Sequence, residues 1–378
     1  MNVELDEEQR EFAGAVGDFC RKHVATRADW LALTGGVEVH SLELARQMAE
    51  LGWLSAYIPE EYGGGGGTLV DLCCFLESAF YGKAPIGAFP TSIIVGNWYL
   101  RFGTEEQKQQ ILRGIGAGRV ESLALSEPGS GSDVTAALCK AQPVGGGYLI
   151  NGQKTWVSNA HLADHVLVLA RTSDETSPRS GLSMLQVATD NPGVRIHGIP
   201  SLADRELNDI YFTDCFVPHS AVVGSEGQAW LQIMMGLTFE RIVISALALG
   251  LARRAFDDAL NYVRTREQFG QSVGSFQAVR HRLADLYTEL KCCELMVYDA
   301  ARAGGDIRLL APQQTSMVKL KVTETAKRIT LESVQLMGAA GVACEYDMER
   351  QLRMSLLTTI YGGTSEIQRE IIGQELGL

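Results

Sequence analysis

Three parts of the chain carry residue types whose spacing suggests chemistry. In Leu125-Ser126-Glu127-Pro128-Gly129-Ser130-Gly131-Ser132-Asp133, glycine and serine are dense enough to leave many backbone N–H and hydroxyl donors open to a polar ligand. A plain surface turn has the same composition. In Gly152-Gln153-Lys154-Thr155-Trp156-Val157-Ser158-Asn159, an indole stands between polar residues at the end of a strand-like run. It could pack on an aromatic cofactor, with Ser158 donating to it, or simply close a barrel. The third part is split between Arg264-Thr265-Arg266-Glu267-Gln268-Phe269-Gly270 and Ile360-Tyr361-Gly362-Gly363-Thr364-Ser365-Glu366-Ile367-Gln368. Arg266 could hold a pyrophosphate, and Gly362-Gly363 could bring backbone close to a ligand. A solvated charge run and a helix-breaking turn are the plainer alternatives.

The elements that must position these residues come in blocks. Asp6 to Val24 has Phe12, Val16 and Phe19 on one helical face, and Ser41 to Leu51 makes another helix with Ser41 as N-cap. Gly63 to Gly67 breaks the periodicity and reads as a flexible loop, not a phosphate loop, because no Gly-Lys-Ser/Thr follows. Val70 to Tyr81 and Thr104 to Gly114 are helical again. From Ser122 to Val223, turn residues punctuate short β-prone runs: Tyr148–Ile150, His165–Ala170, Leu182–Val187 and Asp209–Phe212. Long helical patterns then run over Gln228–Arg264, Gly274–Ala303 and Pro312–Met337. Helices, strands, then helices predict an α+β fold, not a doubly wound sheet. The strand spacing suggests a small antiparallel barrel or sandwich, and no Gly-x-Gly-x-x-Gly follows an early strand.

Composition narrows the function classes. The 378 residues are 46% hydrophobic and 21% charged, the profile of a folded globular chain of two or three packed units. A formal net charge of -12 argues against nucleic acid as the main partner. The acidic start MNVELDEEQREF lacks the basic and apolar regions of a signal peptide. The apolar stretch Ile242 to Ala252 is too short for a membrane span and reads as a buried helix. The eight cysteines include the adjacent pairs Cys73–Cys74 and Cys292–Cys293, which have neither disulfide-scaffold nor zinc-site spacing. Reduced thiols in a cytoplasmic protein are expected. His161 and His165 have metal-like spacing, but Val166–Leu169 reads as strand, so no metal is expected.

Taken together and in this order, the three parts resemble the acyl-CoA dehydrogenase family, along with Pro59-Glu60-Glu61-Tyr62-Gly63-Gly64 and Val334-Gln335-Leu336-Met337-Gly338. The likeness runs through nearly the whole chain. It implies an N-terminal helical domain over 1–120, a central antiparallel β-barrel domain over 121–224 and a C-terminal four-helix bundle over 225–378. It also implies FAD. Leu125 and Ser126 would lie on the flavin ring, and Trp156 and Ser158 along the isoalloxazine. Arg266, Gln268 and Phe269 would meet the pyrophosphate and adenosine side, with Thr364 and Glu366 near the same groups. Gln277, Gln335, Gly338 and Ala339 would reach the FAD of a neighbouring subunit, which implies a homotetramer. Ser132 matches a pantetheine contact, and Arg241 and Tyr361 are substrate-side positions.

One position departs from many relatives. The glutamate that commonly follows the tyrosine matching Tyr361 is here Gly362, which cannot take a proton. The resemblance then points to Glu240, in Leu237-Thr238-Phe239-Glu240-Arg241-Ile242-Val243-Ile244 at the head of the apolar helix, as in the isovaleryl-CoA dehydrogenase subset. A Glu240–Arg241 charge pair is the plainer alternative, but adjacent helical residues diverge by about 100°. Burial beside Ile242 and Val243 raises a carboxyl's pKa toward the working range. Gly362 would still offer its N–H to the thioester oxygen. Met354 replaces an acidic residue common after the arginine matching Arg353.

The implied reaction is α,β-dehydrogenation of an acyl thioester to a trans-2-enoyl thioester, with electrons passing to an electron-transferring flavoprotein. Three alternatives differ in substrate or class. A carrier-protein-dependent oxidase would share the pattern of Leu352-Arg353, Thr358-Thr359-Ile360 and Gly363-Thr364-Ser365. A non-catalytic partner subunit would show eroded flavin motifs. A flavin monooxygenase would not need Glu240.

Overall fold

The computed structural model describes residues 4–173, 177, 179–202, 204–304 and 311–378. Among these, the chain opens with helices α1 (Glu7–His23), α2 (Arg27–Thr34), α3 (Leu42–Glu50), α4 (Leu69–Tyr81), α5 (Phe89–Phe102) and α6 (Glu105–Gly116). Strands β1 (Glu121–Ala124), β2 (Lys140–Val144), β3 (Gly147–Ser158), β4 (His165–Arg171), β5 (Leu182–Ala188), β6 (Val194–Gly198), β7 (Leu207–Pro218) and β8 (Val222–Val223) follow. Next come α7 (Ala229–Thr265), the short strands β9 (Glu267–Gln268) and β10 (Gln271–Ser272), α8 (Gln277–Ala303), α9 (Pro312–Met337), α10 (Ala339–Val342), α11 (Met348–Thr358) and α12 (Ser365–Glu375). The expected α+β order of helices, strands and helices is the one observed. Packing divides the chain into one unit of residues 1–32, 68–84 and 238–378 and another of 33–67 and 85–237.

In the first unit, local signals set the helix starts. Asp6 and Gln9 form a capping box on α1, and Thr68 and Asp71 form one on α4. Helix α7 passes close to α4, where a Cβ on Gly250 would lie 2.4 Å from the Glu77 carbonyl oxygen. Beside that contact, Tyr298 donates to Glu77 at 2.6 Å and Arg253 pairs with Glu77 at 2.9 Å. Ser333 of α9 donates to the Ala255 carbonyl of α7, and Gln351 of α11 donates to Asp258 of α7. Helix α9 also packs on α8 and α12, which completes the helical bundle. Asp347 gathers Lys83 at 3.0 Å, Arg350 at 2.9 Å and Arg27 at 3.3 Å. Burial opposes its ionisation, but Arg350 and Lys83 hold the carboxyl down at about 2. With its 37 residues, α7 is longer than its most apolar stretch suggested, and is long and apolar enough to cross a membrane; 78% of its most apolar window is nonetheless buried in protein.

The second unit holds the sheet, in the order β6-β7-β3-β2-β4-β5-β8. The expected antiparallel barrel is corrected on two points. The ends β6 and β8 do not pair with each other, so the sheet is open. It is also mixed, because β1 and β2 each run parallel to β4. Alternation in a sequence shows which residues face inward but not which strand lies alongside. The inward residues Ala124, Ile150, Val166, Val168, Leu185, Ile210, Phe212 and Cys215 form its core.

The glycine run is not the flexible loop expected. The Gly63 to Gly67 amides donate in turn to the carbonyls of Glu60, Pro59, Ser55, Ile58 and Ala56. A Cβ on Gly64 would sit 1.9 Å from the Ile58 oxygen, so glycine is needed for close approach. All eight cysteines are unpaired, with Cys292 and Cys344 exposed. Among the described residues no group of His, Cys, Asp and Glu could hold a metal, and His165 begins a strand.

Candidate active site

Glu240 lies in the interior of α7, not at a helix head. Buried Phe239, Ile242, Val243 and Ile244 surround it in sequence, so burial overrides the weak helix propensity of the aromatic and the three β-branched residues. Its side chain is half-buried, with Oε2 closed to solvent and without a hydrogen-bond partner. Burial pushes the carboxyl up to about 7, against the pull of Arg241 and Lys319. A carboxylate that is half protonated near neutrality is well matched to general-base work.

Gly362 and Gly363, between α11 and α12, have φ of +64° and +85°, where side chains are strained. A Cβ on Gly362 would lie 3.3 Å from Glu240 Oε1 and 2.3 Å from Ile244 Cδ1. The Glu240 carboxylate therefore occupies the space beside a position that has no side chain. Gln368 donates to the Gly362 and Gly363 carbonyls at 3.1 and 2.8 Å, and Lys319 donates to the Gly363 carbonyl at 2.8 Å. Thr364 caps α12 by accepting from the Ile367 amide, with exposed Glu366 in the first turn. Among the described residues the Gly362 N–H has no acceptor. Tyr361 beside it is exposed.

Arg241 makes no ion pair with Glu240. It is buried, its Nε and Nη1 lack partners, and burial lowers its pKa to about 10. Around Met354, Arg353 pairs with Glu349 at 3.2 Å and Arg350 Nη1 reaches Met354 Sδ at 3.8 Å.

Arg266, Gln268 and Phe269 share the β9–β10 hairpin. Phe269 and Gly270 have φ of +55° and +78°, the signs of a type I′ turn that favours Asn-Gly. An aromatic there costs about 1 kcal/mol. Phe269 is nevertheless 94% exposed, which suits a contact with something outside the chain. Gln277 opens α8 and Gln335 lies in the last turn of α9; both are exposed, and their side chains have no partner among the described residues. Gly338, at φ +61°, turns the chain from α9 into α10, which Ala339 begins.

In the sheet unit, a buried ion pair fixes the Leu125–Asp133 loop. Lys154 of β3 donates to Glu127 at 2.7 Å and to the Leu125 carbonyl at 2.9 Å. Glu127 also accepts from the Leu138 and Cys139 amides, and Thr155 N–H donates to the Ser126 carbonyl. Burial lowers the Lys154 pKa; it also opposes ionisation of Glu127, whose carboxyl is held low by Lys154 and the two amides. Leu125 and Ser126 are thus tied to the strand that carries Trp156. Trp156 has φ +59° and is 57% exposed, while Ser158 donates to Glu206 at 3.1 Å. Burial raises the Glu206 carboxyl. Ser132 is exposed in the same loop.

Glu240 and Gly362 are therefore brought together, as are Leu125, Ser126 and β3. The roles of Lys319, Gln368 and Glu206, and the Glu127–Lys154 pair, were not read from the sequence. Lys319 had one signal, a lone charge among small and apolar residues on an inward helix face.

Family models match along the chain: the acyl-CoA dehydrogenase N-terminal domain over residues 6–119, the middle domain over 122–215 and the C-terminal domain over 227–377. A probable acyl-CoA dehydrogenase of Bacillus subtilis (strain 168) is 35% identical, covering 100% of both chains. The mitochondrial isovaleryl-CoA dehydrogenase of Solanum tuberosum is 33% identical over 98% of this chain and 91% of its own length. The crystal structure of the prolyl acyl carrier protein oxidase AnaB matches with a TM-score of 0.92 and 27% identity, over 99% of this chain and 100% of that one.

Proposed function

Because the chain belongs to the acyl-CoA dehydrogenase family, we propose that it dehydrogenates an acyl-CoA between its α and β carbons with Glu240 as the base. The observation that carries this reading is the Glu240 carboxylate beside the side-chain-free Gly362, with its pKa raised to about 7 by burial. FAD is the cofactor, and when bound it supplies the two-electron acceptor for the β-hydride. Glu240 takes the α-proton, and the free Gly362 N–H donates to the thioester oxygen as charge builds there. Trp156 and Ser158, with the backbone of Leu125 and Ser126, are proposed flavin contacts. Arg266, Gln268, Phe269, Thr364 and Glu366 serve the pyrophosphate and adenosine side. Ser132, Arg241 and Tyr361 are proposed on the substrate side, and an electron-transferring flavoprotein as the electron acceptor.

In Glu240→Gln the yellow protein should keep FAD and still bind acyl-CoA, but anaerobic flavin bleaching should slow by roughly 10²–10⁴-fold. Near-normal bleaching would refute the base assignment. The likeness to a carrier-protein oxidase favours a second reading, in which the thioester is held on a carrier protein. Turnover of isovaleryl-CoA set against prolyl-carrier protein separates the two.

A further inference from the structure

Lys319 has no part in the reaction as described so far, yet it is fully buried. It sits on α9 among buried Thr315, Ser316, Val322 and Thr323. A buried ammonium forfeits its hydration, so such a placement needs compensation. The compensation recorded is the hydrogen bond to the Gly363 carbonyl at 2.8 Å, together with the nearby charge of Glu240. With Gln368 on the Gly362 and Gly363 carbonyls, both carbonyls of the turn are occupied. The Gly362 N–H is left as a free donor on backbone that adjoins the Glu240 carboxylate.

We propose that Lys319 is a positioning residue of this site: by holding the Gly363 carbonyl, it fixes the Gly362 backbone beside Glu240 with its N–H open to the thioester oxygen. The proposal rests on the reading of Glu240 as the base. Lys319 is faced by Glu240 and Arg241 from α7, by Glu324 from α9 and by Glu366 from α12, while Glu240 is faced by Arg241 and Lys319. Removing the ammonium leaves Glu240 with one cation fewer, so the base should titrate at higher pH.

The test uses the FAD-loaded enzyme with isovaleryl-CoA for turnover and acetoacetyl-CoA as a probe, since the latter's acidic α-carbon ionises without loss of hydride. In Lys319→Met the acid limb of kcat/KM should move up by roughly half a pH unit or more. Affinity for the ionised probe should fall roughly tenfold or more, because the N–H donor is no longer held. Lys319→Gln keeps a donor without the charge, so it should regain probe affinity while the limb stays displaced. A purely structural lysine would not separate these two readouts. Wild-type affinity and an unmoved limb in both variants would overturn the proposal. If Lys319→Met loses FAD, Lys319→Gln decides alone, and an unmoved limb overturns it. Unchanged Lys319 variants beside an inactive Glu240→Gln would sink the positioning role and spare the base. An active Glu240→Gln would sink both.

Discussion

At the scale of single residues, Glu240 and Gly362 answer to each other: one has the carboxylate and the other has room only because it lacks a Cβ. Moving the carboxylate to position 362 is therefore a sharper experiment than deletion. In Glu240→Gly with Gly362→Glu, the new Cβ would meet Ile244 Cδ1 at 2.3 Å, on backbone at φ +64°. Adding Ile244→Ala clears that contact. The triple variant should recover activity about tenfold or more above the Glu240→Gly background. The double variant should recover less, and equal recovery in the two would show that Ile244 does not hinder the position. The same carboxyl affects stability. Its folded pKa of about 7 lies above the ordinary carboxyl value of 4.5, so between these values the folded state binds more protons than the unfolded one. Stability then falls as pH rises through that window. Glu240→Gln should remove this slope and melt higher than the wild type at pH 8, with the difference shrinking toward pH 5. A parallel pair of melting curves against pH would contradict the shift.

At the scale of elements, the loop at Leu125–Asp133 is held by one buried pair. Breaking that pair from one side strands a charge, so Lys154→Met should destabilise the protein by about 3 kcal/mol or more. Glu127→Gln with Lys154→Met should cost less than the sum of the single changes, as read by a denaturant double-mutant cycle. Additive losses would mean that the pair is not coupled. This pair also explains what the sequence left hidden. The sequence shows a β-prone run over Tyr148–Ile150 and a strand-like run that ends at Trp156; β3 joins the two from Gly147 to Ser158, with Lys154 inward. Helix α9 was read over the same span, Pro312–Met337, because Pro312 opens it and Gly338 follows it. Helix α5 buries nearly all its faces, polar Ser92 and Asn97 included, so it has no single apolar stripe to give a helical period. The approach of Glu240 to Gly362 joins distant parts of the chain, and local pattern carries no trace of it. Only the resemblance, with glycine where a glutamate is common, pointed there.

At the scale of the whole molecule, several side chains of the helical unit stand open to solvent. Gln277 and Gln335 are exposed with no side-chain partner among the described residues, and large apolar side chains are exposed on the helices and turns of this unit, among them Leu331, Val342, Ile360 and Phe269. Water alone is a poor environment for so many apolar groups. We propose that neighbouring copies cover them and that Gln277, Gln335, Gly338 and Ala339 complete a neighbour's FAD site in a homotetramer. If one copy completes another's site, assembly and cofactor binding are linked and each must strengthen the other. Dilution followed by sedimentation and flavin fluorescence should show FAD leaving as the oligomer dissociates. Stripping FAD should lower the concentration-dependent mass. Arg266→Ala, which would remove the proposed charge-assisted contact to phosphate, should weaken FAD retention roughly tenfold and shift dissociation to higher protein concentration. A monomer that keeps full FAD across the dilution series would break the link, and the exposed glutamines would then need another role.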